Sequence, residues 1–260
     1  MSSKVNFVLN DDYKILLEYL KDNNIKVDAV IIDPPYNISK KNNFASMKNR
    51  HGFDFGKWDY NFDQSEWINL TAPFIKEGGS IIIFNTWKNL SQIAKTLEAN
   101  GFLIKDPIRW IKPNPVPRNI KRQYVADYEF ALWEVKPGQK WTFNFDLKKD
   151  KAYLRPEYVY PPELGKDKRF HPTLKPLNLI IDLIELHTNP NDLVLDLFMG
   201  SGTTAIAALK TKRRFIGSEI DEDYYEKITE SIKNSYILGK IGNLVTANLS
   251  LGGWRCSTDL

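Results

Sequence analysis

The stretch Val194-Leu195-Asp196-Leu197-Phe198-Met199-Gly200-Ser201-Gly202-Thr203-Thr204-Ala205 constrains this chain more than any other. A short apolar run of buried-strand length leads into two glycines and then into helical patterning over 203–212. Glycines at such a turn let the backbone approach a ligand closely, and the free N–H groups opening a helix attract negative charge. Strand, glycine turn and helix in that order belong to a parallel α/β sheet, which binds ligands outside the carboxyl ends of its strands. Glu219 closes the next apolar run, 213–220, where a carboxylate reaches two ribose hydroxyls. Gly200-x-Gly202-x-x-Ala205 also fits the dinucleotide fingerprint, so a nicotinamide-dependent oxidoreductase competes here. Charge favours a different ligand. Asp196 stands before the glycines, where a dinucleotide places a pyrophosphate that a carboxylate repels. S-adenosylmethionine places an ammonium and a sulfonium there, and a carboxylate attracts both.

The rest of the chain supports the alternation. Strands are expected over 5–9, 27–33, 80–85, 192–198 and 213–220, and helices over 13–23, 65–79, 90–101, 177–188, 203–212 and 221–236. Asp11 or Asp12 caps the first helix, and Gly78-Gly79 ends the second. Two stretches break the pattern. Residues 38–63 are polar, aromatic and aperiodic, and are read as an active-site loop. Residues 112–172 hold eight of the fourteen prolines, and 136–170 is read as an inserted recognition segment. The division expected is a catalytic half over 1–135, the insertion 136–170, a cofactor-binding half over 171–238 and a tail over 239–260.

Composition excludes several classes. With 260 residues, 42% hydrophobic and 26% charged, the chain buries a core as one large domain with an insertion. The single cysteine, Cys256, excludes an internal disulfide framework, and His51, His171 and His187 lack metal-ligand spacing, so no metal is expected. No apolar run reaches 18 residues, and the N-terminus lacks an apolar core and cleavage site, which together point to a cytoplasmic protein without a membrane partner. Net charge is only +4, yet basic residues concentrate. Residues 105–122 carry six basic residues against one acid, and 136–175 ten against five. That concentration is the footprint of phosphate binding. Candidate phosphate contacts are Lys40, Lys41, Lys48 and Arg50 in the loop, Arg118, Lys121 and Arg122, and Lys148, Lys149 and Arg155.

A second motif stands at another strand end. The continuous run VDAVIID finishes in Asp33-Pro34-Pro35-Tyr36. Two prolines delete N–H donors, so carbonyls dominate locally. A carboxylate beside a carbonyl makes an acceptor-rich site for an amino group, and Tyr36 offers a ring face for stacking.

With Asp33 to Tyr36 and Phe198 to Gly202 in that order, the chain resembles the β-class of amino-methylating DNA methyltransferases. His171-Pro172-Thr173-x-Lys175-Pro176 and Asn10-Asp11 match further motifs of that family. Many relatives carry Asp-Pro where this chain has Asp196-Leu197. The resemblance implies a circularly permuted, Rossmann-like, mostly parallel seven-stranded sheet with one antiparallel strand. It implies S-adenosylmethionine as donor, and the N6 amino group of an adenine flipped out of duplex DNA in a restriction–modification system as acceptor. Homodimers are common among its members. Cytosine-amino enzymes of this type usually carry Ser in place of Asp33. By the resemblance, Asp33, Pro34, Pro35 and Tyr36 are catalytic. The cofactor would be met by Asp11, Asp33, Thr173, Lys175, Asp196, Phe198, Gly200, Ser201, Gly202, Thr203, Thr204, Glu219 and Ile220. Lys175 pairs either with the methionyl carboxylate or with a site acid. Phe198 either stacks on the cofactor adenine or packs in the core. Ser201, Thr203 and Thr204 serve the methionyl carboxylate or cap the helix. His171 is structural or ligand-facing, and Tyr224 ligand-facing or a core tyrosine. The competing functions are a cytosine-amino DNA or RNA methyltransferase, the oxidoreductase, and a DNA-binding module with an inactive site.

Overall fold

The computed structural model describes residues 5–37, 61–115, 120–122, 124–148, 152–163 and 174–237. Its centre is β2 (Val27–Ile32), and the reason is visible in the sequence: every second residue serves a different layer. Val30 and Ile32 pack toward α1 (Tyr13–Asp22), α2 (Gln64–Thr71) and α3 (Trp87–Ala99). Ile31 packs toward α4 (Leu177–His187), α5 (Thr203–Lys210) and α6 (Glu222–Ile237). Two helical layers therefore cover both faces of one sheet, which is why its central strands read as continuous apolar runs. Asp12 caps α1, its carboxylate accepting the Lys14 N–H, while Gly101 stops α3 at φ +80°.

Among the described residues the sheet has eight strands, in the order β1-β8-β7-β2-β3-β5-β4-β6. These are β1 (Phe7–Leu9), β3 (Ile75–Asn85), β4 (Leu103–Ile111), β5 (Tyr128–Val135), β6 (Glu157–Val159), β7 (Leu193–Asp196), β8 (Arg214–Ser218) and β2. Among these described strands only β5 runs against its neighbours, as expected. The eighth strand exceeds the seven expected. It is β6, three residues of the segment read as an insertion, which add to β4 at the sheet's edge.

A further expectation is corrected. The helix anticipated over 65–79 ends at Thr71 and passes through a 3-10 turn at Ala72–Phe74 into β3, which starts at Ile75 rather than at 80. Pro73 has no N–H to continue the helix, and Gly78, at φ +76°, donates its N–H to the Lys136 carbonyl beyond β5. The stretch 112–172, read as breaking the strand–helix alternation, contributes β5 and β6, two strands with no helix between them, among the described residues, that continues the repeat.

From β7 the chain crosses to β8 on one side, and from β2 to β3 on the other. Because β7 and β2 are neighbours, the strand order reverses between them. Asp196 and Asp33 end, respectively, just at and just past these two strands. An open α/β sheet forms its ligand crevice at such a switch point.

Candidate active site

A crevice opens at this switch point, lined by Asp33 from the end of β2, Phe84 from β3, Asp196 from β7, Lys175 ahead of α4, and the glycine turn with Phe198, Ser201, Thr203 and Thr204. The two motifs, more than 160 residues apart in sequence, thus share one cavity.

Asp33 is held from two sides. Tyr36 donates its hydroxyl to Asp33 Oδ1 at 2.5 Å, and Lys175 Nζ lies 2.6 Å from Oδ2. Lys175 is buried, and its ammonium also pairs with Glu129 Oε2 at 3.3 Å. Burial alone would lower the Lys175 pKa, but the Asp33 and Glu129 carboxylates hold it above the ordinary lysine range. Of the partners expected for Lys175, site acids are the ones it meets in this structure. Burial first, then the Asp33 charge, pushes the Tyr36 hydroxyl well above its ordinary value, so it stays a donor. The prolines of the motif fix its path. The Pro35 carbonyl accepts from Gln64 Nε2 at 2.5 Å, and the Tyr36 carbonyl from Asn89 Nδ2 at 3.0 Å. Asn37, at φ 58°, pairs both ways with the Phe62 backbone at 2.7 Å.

The glycine turn is built by its acids. Gly202 adopts φ 76° as the N-cap of α5, a conformation that glycine takes without strain. Asp196 accepts from the Phe198 N–H at 3.1 Å and from the Thr204 hydroxyl. Burial pushes its carboxyl up to about 7, with Asp33 and Glu219 adding to the shift and the two hydrogen bonds opposing it. Glu219 is buried and uses both oxygens on backbone: Oε2 accepts the Gly200 N–H at 2.7 Å and Oε1 the Asp221 N–H at 2.9 Å. With the Ile220 N–H as a further backbone donor, the carboxylate still has a lone-pair direction to spare, so it supports the turn while remaining an acceptor. The Asn10 amide donates to the Glu219 carbonyl at 3.0 Å, which brings the exposed Asp11 to the same strand edge as exposed Ile220. Phe198 meets Tyr13, Phe62 and Trp67 edge-on, at centroid distances of 5.4 to 5.9 Å. It joins an aromatic cluster and faces the crevice as well. Ser201 and Thr203 share a hydrogen bond at 2.9 Å, and the Tyr224 N–H is held by the Asp221 side chain.

Lys121 and Arg122 are exposed on the β4–β5 connection. That connection leaves the sheet at the edge carrying Asp33, since Ile111 pairs with Tyr128 and Asn85 with Phe130. Arg155 is exposed beside Tyr153, just before β6. Lys40, Lys41, Lys48, Arg50, Arg118, Lys149, His171 and Thr173, with the Lys148 side chain, lie outside the described residues. Among the described residues there is no metal-binding cluster and no helix long and apolar enough to cross a membrane.

Sequence reasoning missed Glu129 and its second partner, Lys112, whose Nζ lies 2.5 Å from Oε1. It also missed Gln64 and Asn89, which brace the Asp33–Tyr36 backbone. The available signal was a glutamate inside an otherwise apolar run, YEFALW.

Comparison with known proteins agrees with this geometry. A family model described as DNA methylase matches residues 27–230. The type II methyltransferase M2.MboI of Moraxella bovis is 34% identical over 243 residues, spanning 85% of this chain and 87% of that protein. M2.DpnII of Streptococcus pneumoniae is 30% identical over 236 residues, with the same shares. The crystal structure of an M1.HpyAVI–SAM complex matches with a TM-score of 0.72 at 40% identity, covering 87% of this chain and 98% of that one. PvuII DNA methyltransferase, described as cytosine-N4-specific, shares the fold with a TM-score of 0.62 at 17% identity.

Proposed function

The chain belongs to the DNA methylase family, and we propose that it methylates the exocyclic N6 of an adenine flipped out of duplex DNA, with S-adenosylmethionine as donor. The observation that carries this reading is the Asp33 carboxylate at the switch-point crevice, one strand away from Asp196. The crevice fits the donor. A buried carboxyl at a strand end gains by ionising beside a cationic methionyl group, whereas a dinucleotide pyrophosphate would oppose the ionisation of Asp196 and Glu219. Asp11, Asp33, Thr173, Lys175, Asp196, Phe198, Gly200, Ser201, Gly202, Thr203, Thr204, Glu219 and Ile220 are proposed to surround it, Lys175 acting through Asp33.

When bound, the donor supplies an electrophilic methyl group. The residues of the chain prepare the acceptor. An adenine amino nitrogen is a weak nucleophile because its lone pair is delocalised into the ring. Asp33 and the Pro34 carbonyl accept its two hydrogens, which localises the lone pair and offsets the positive charge that grows on nitrogen. Holding the amino group in place replaces a bimolecular encounter with a positioned one. Flipping the base costs a few kcal/mol. The Tyr36 ring, stacked on the base, offsets about 1–3 kcal/mol of that.

The 136–170 segment and the basic residues Lys40, Lys41, Arg50, Arg118, Lys121, Arg122, Lys148, Lys149 and Arg155 are proposed to hold the duplex. Within the family, the motif set resembles the MboII modification methyltransferase. The type II relatives support a role in a restriction–modification system. A cytoplasmic homodimer completes the reading, and light scattering tests the dimer.

The alternative acceptor is cytosine N4. Asp33, where cytosine-amino enzymes usually carry Ser, favours adenine. Duplex DNA treated with the enzyme and methyl-tritiated donor, then hydrolysed to nucleosides, is expected to carry label in N6-methyldeoxyadenosine. Label in N4-methyldeoxycytidine would replace the reading with its alternative.

A further inference from the structure

The groups so far assigned to the acceptor come from the end of β2 and the segment ahead of α4. A third element reaches them. Glu129 stands on β5, paired in register with Trp110 of β4, and its carboxylate touches Lys175 on one side and, on the other, Lys112 just past the end of β4. Four charges therefore alternate in a row: Lys112, Glu129, Lys175, Asp33.

We propose that Glu129 is a positioning residue for methyl transfer, holding Lys175 so that Asp33 keeps its orientation and its negative charge toward the incoming amino group. This rests on the reading of Asp33 as the acceptor of the amino hydrogens.

Stability gives no reason for such a row. A buried ion pair is often matched or bettered by apolar residues of the same size, and Glu129 interrupts a strand that is otherwise mostly apolar. Electrostatics gives one. Lys175 is only 6% exposed, so water does not share its charge. Paired with Asp33 alone, it would neutralise the carboxylate that must face a nitrogen becoming positive. With Glu129 Oε2 at 3.3 Å, Asp33, Lys175 and Glu129 together carry one net negative charge. Lys112 meets the opposite oxygen of Glu129 and touches neither Lys175 nor Asp33 among the ion pairs, so its charge reaches Asp33 only from beyond Glu129. Geometry agrees. The Lys175 ammonium also lies 5.2 Å from the Phe84 ring centre and 5.5 Å from that of Tyr36. Glu129 and these two rings thus fix where Lys175 meets Asp33 Oδ2, leaving Tyr36 to orient Oδ1.

The test uses the full chain with duplex DNA and S-adenosylmethionine. Glu129→Gln keeps the shape and removes the charge. Its kcat is expected to fall about tenfold or more, as when a preorganised electrostatic group is neutralised, with KM for both substrates little changed. Glu129→Asp keeps the charge with a shorter reach, and its kcat is expected to lie between those of wild type and Glu129→Gln. Should Glu129→Gln fail to fold, a lowered kcat at unchanged KM in Glu129→Asp carries the test. Wild-type kcat in every variant that folds, or equal losses in both, overturns the inference while leaving the Asp33 reading intact if Asp33→Ala, assayed beside them, is inactive. Transfer by Asp33→Ala would overturn both.

Discussion

Lys175 Nζ lies 2.6 Å from Asp33 Oδ2, a contact that joins residues 142 positions apart. The first lies just ahead of α4, the second just past the end of β2, so the ion pair ties the two sides of the crevice together. Replacing Lys175 by Met would leave two carboxylates, Asp33 and Glu129, facing each other without their shared cation. Breaking a buried pair in this way costs roughly 3–5 kcal/mol. Asp33 keeps some solvent access, which places the expected loss near about 3 kcal/mol. Urea denaturation of Lys175→Met measures it, and a change below about 1 kcal/mol would mean that solvent already screens the pair.

Asp196 makes the site sensitive to pH. Burial raises its folded-state pKa to about 7 from an ordinary 3.8. The native protein without cofactor therefore holds a proton that the unfolded chain has lost, so this group's contribution makes the fold less stable as pH rises through that interval and is constant above it. A cationic ligand at Asp196 favours the ionised form. Binding of S-adenosylmethionine is expected to release a proton near neutral pH and to tighten as pH rises from 6 to about 8. Calorimetry in two buffers of different ionisation enthalpy detects the proton. Equal heats in both buffers, with affinity independent of pH, would separate Asp196 from the ligand.

Glu219 carries two tasks that one substitution removes together. Glu219→Ala loses the acceptors of the Gly200 and Asp221 N–H groups and the proposed ribose contact. Cofactor affinity is expected to weaken by about 1.5–3 kcal/mol, the range for a hydrogen bond to a charged group. Unchanged affinity by calorimetry would leave Glu219 with its structural task alone.

Gly202 tests the turn itself. Its φ of 76° is unfavourable for any residue with a Cβ, and a Cβ there would approach Ile228 Cγ2 of α6 to 2.9 Å. Gly202→Ala is expected to destabilise by about 1–3 kcal/mol and to weaken cofactor binding, both read from thermal unfolding with and without ligand. A stable variant with normal binding would show that the turn relaxes without loss.

The parts of this molecule legible in the sequence are those whose physics is local. VDAVII announces β2 because both faces of that strand are buried, and Gly200-Ser201-Gly202 announces the turn because a positive φ selects glycine. The parts that escaped depend on partners far away. β5 carries two glutamates that break its apolar run. Glu129 is there to meet Lys112 and Lys175. Glu134 is fully buried, its carboxyl pushed up to about 8 by burial and by Glu98. β4 hides behind Lys105, Asp106 and Pro107, and its register shifts between Ile104 and Asp106. Likewise, the residue type of Lys175 shows a cation, but only the fold shows that its partner is Asp33.

The most direct measurement is single-turnover methyl transfer to duplex DNA by Asp33→Ala beside wild type, with circular dichroism and duplex binding recorded on the same preparations. Asp33 lies at an open strand end and does not fill the core, and Lys175 keeps Glu129 as a partner without it, so the variant is expected to fold with reduced stability and bind DNA yet transfer no methyl group. A folded Asp33→Ala variant that transfers methyl groups at a near-normal rate would contradict the assignment of Asp33 as the acceptor of the adenine amino group.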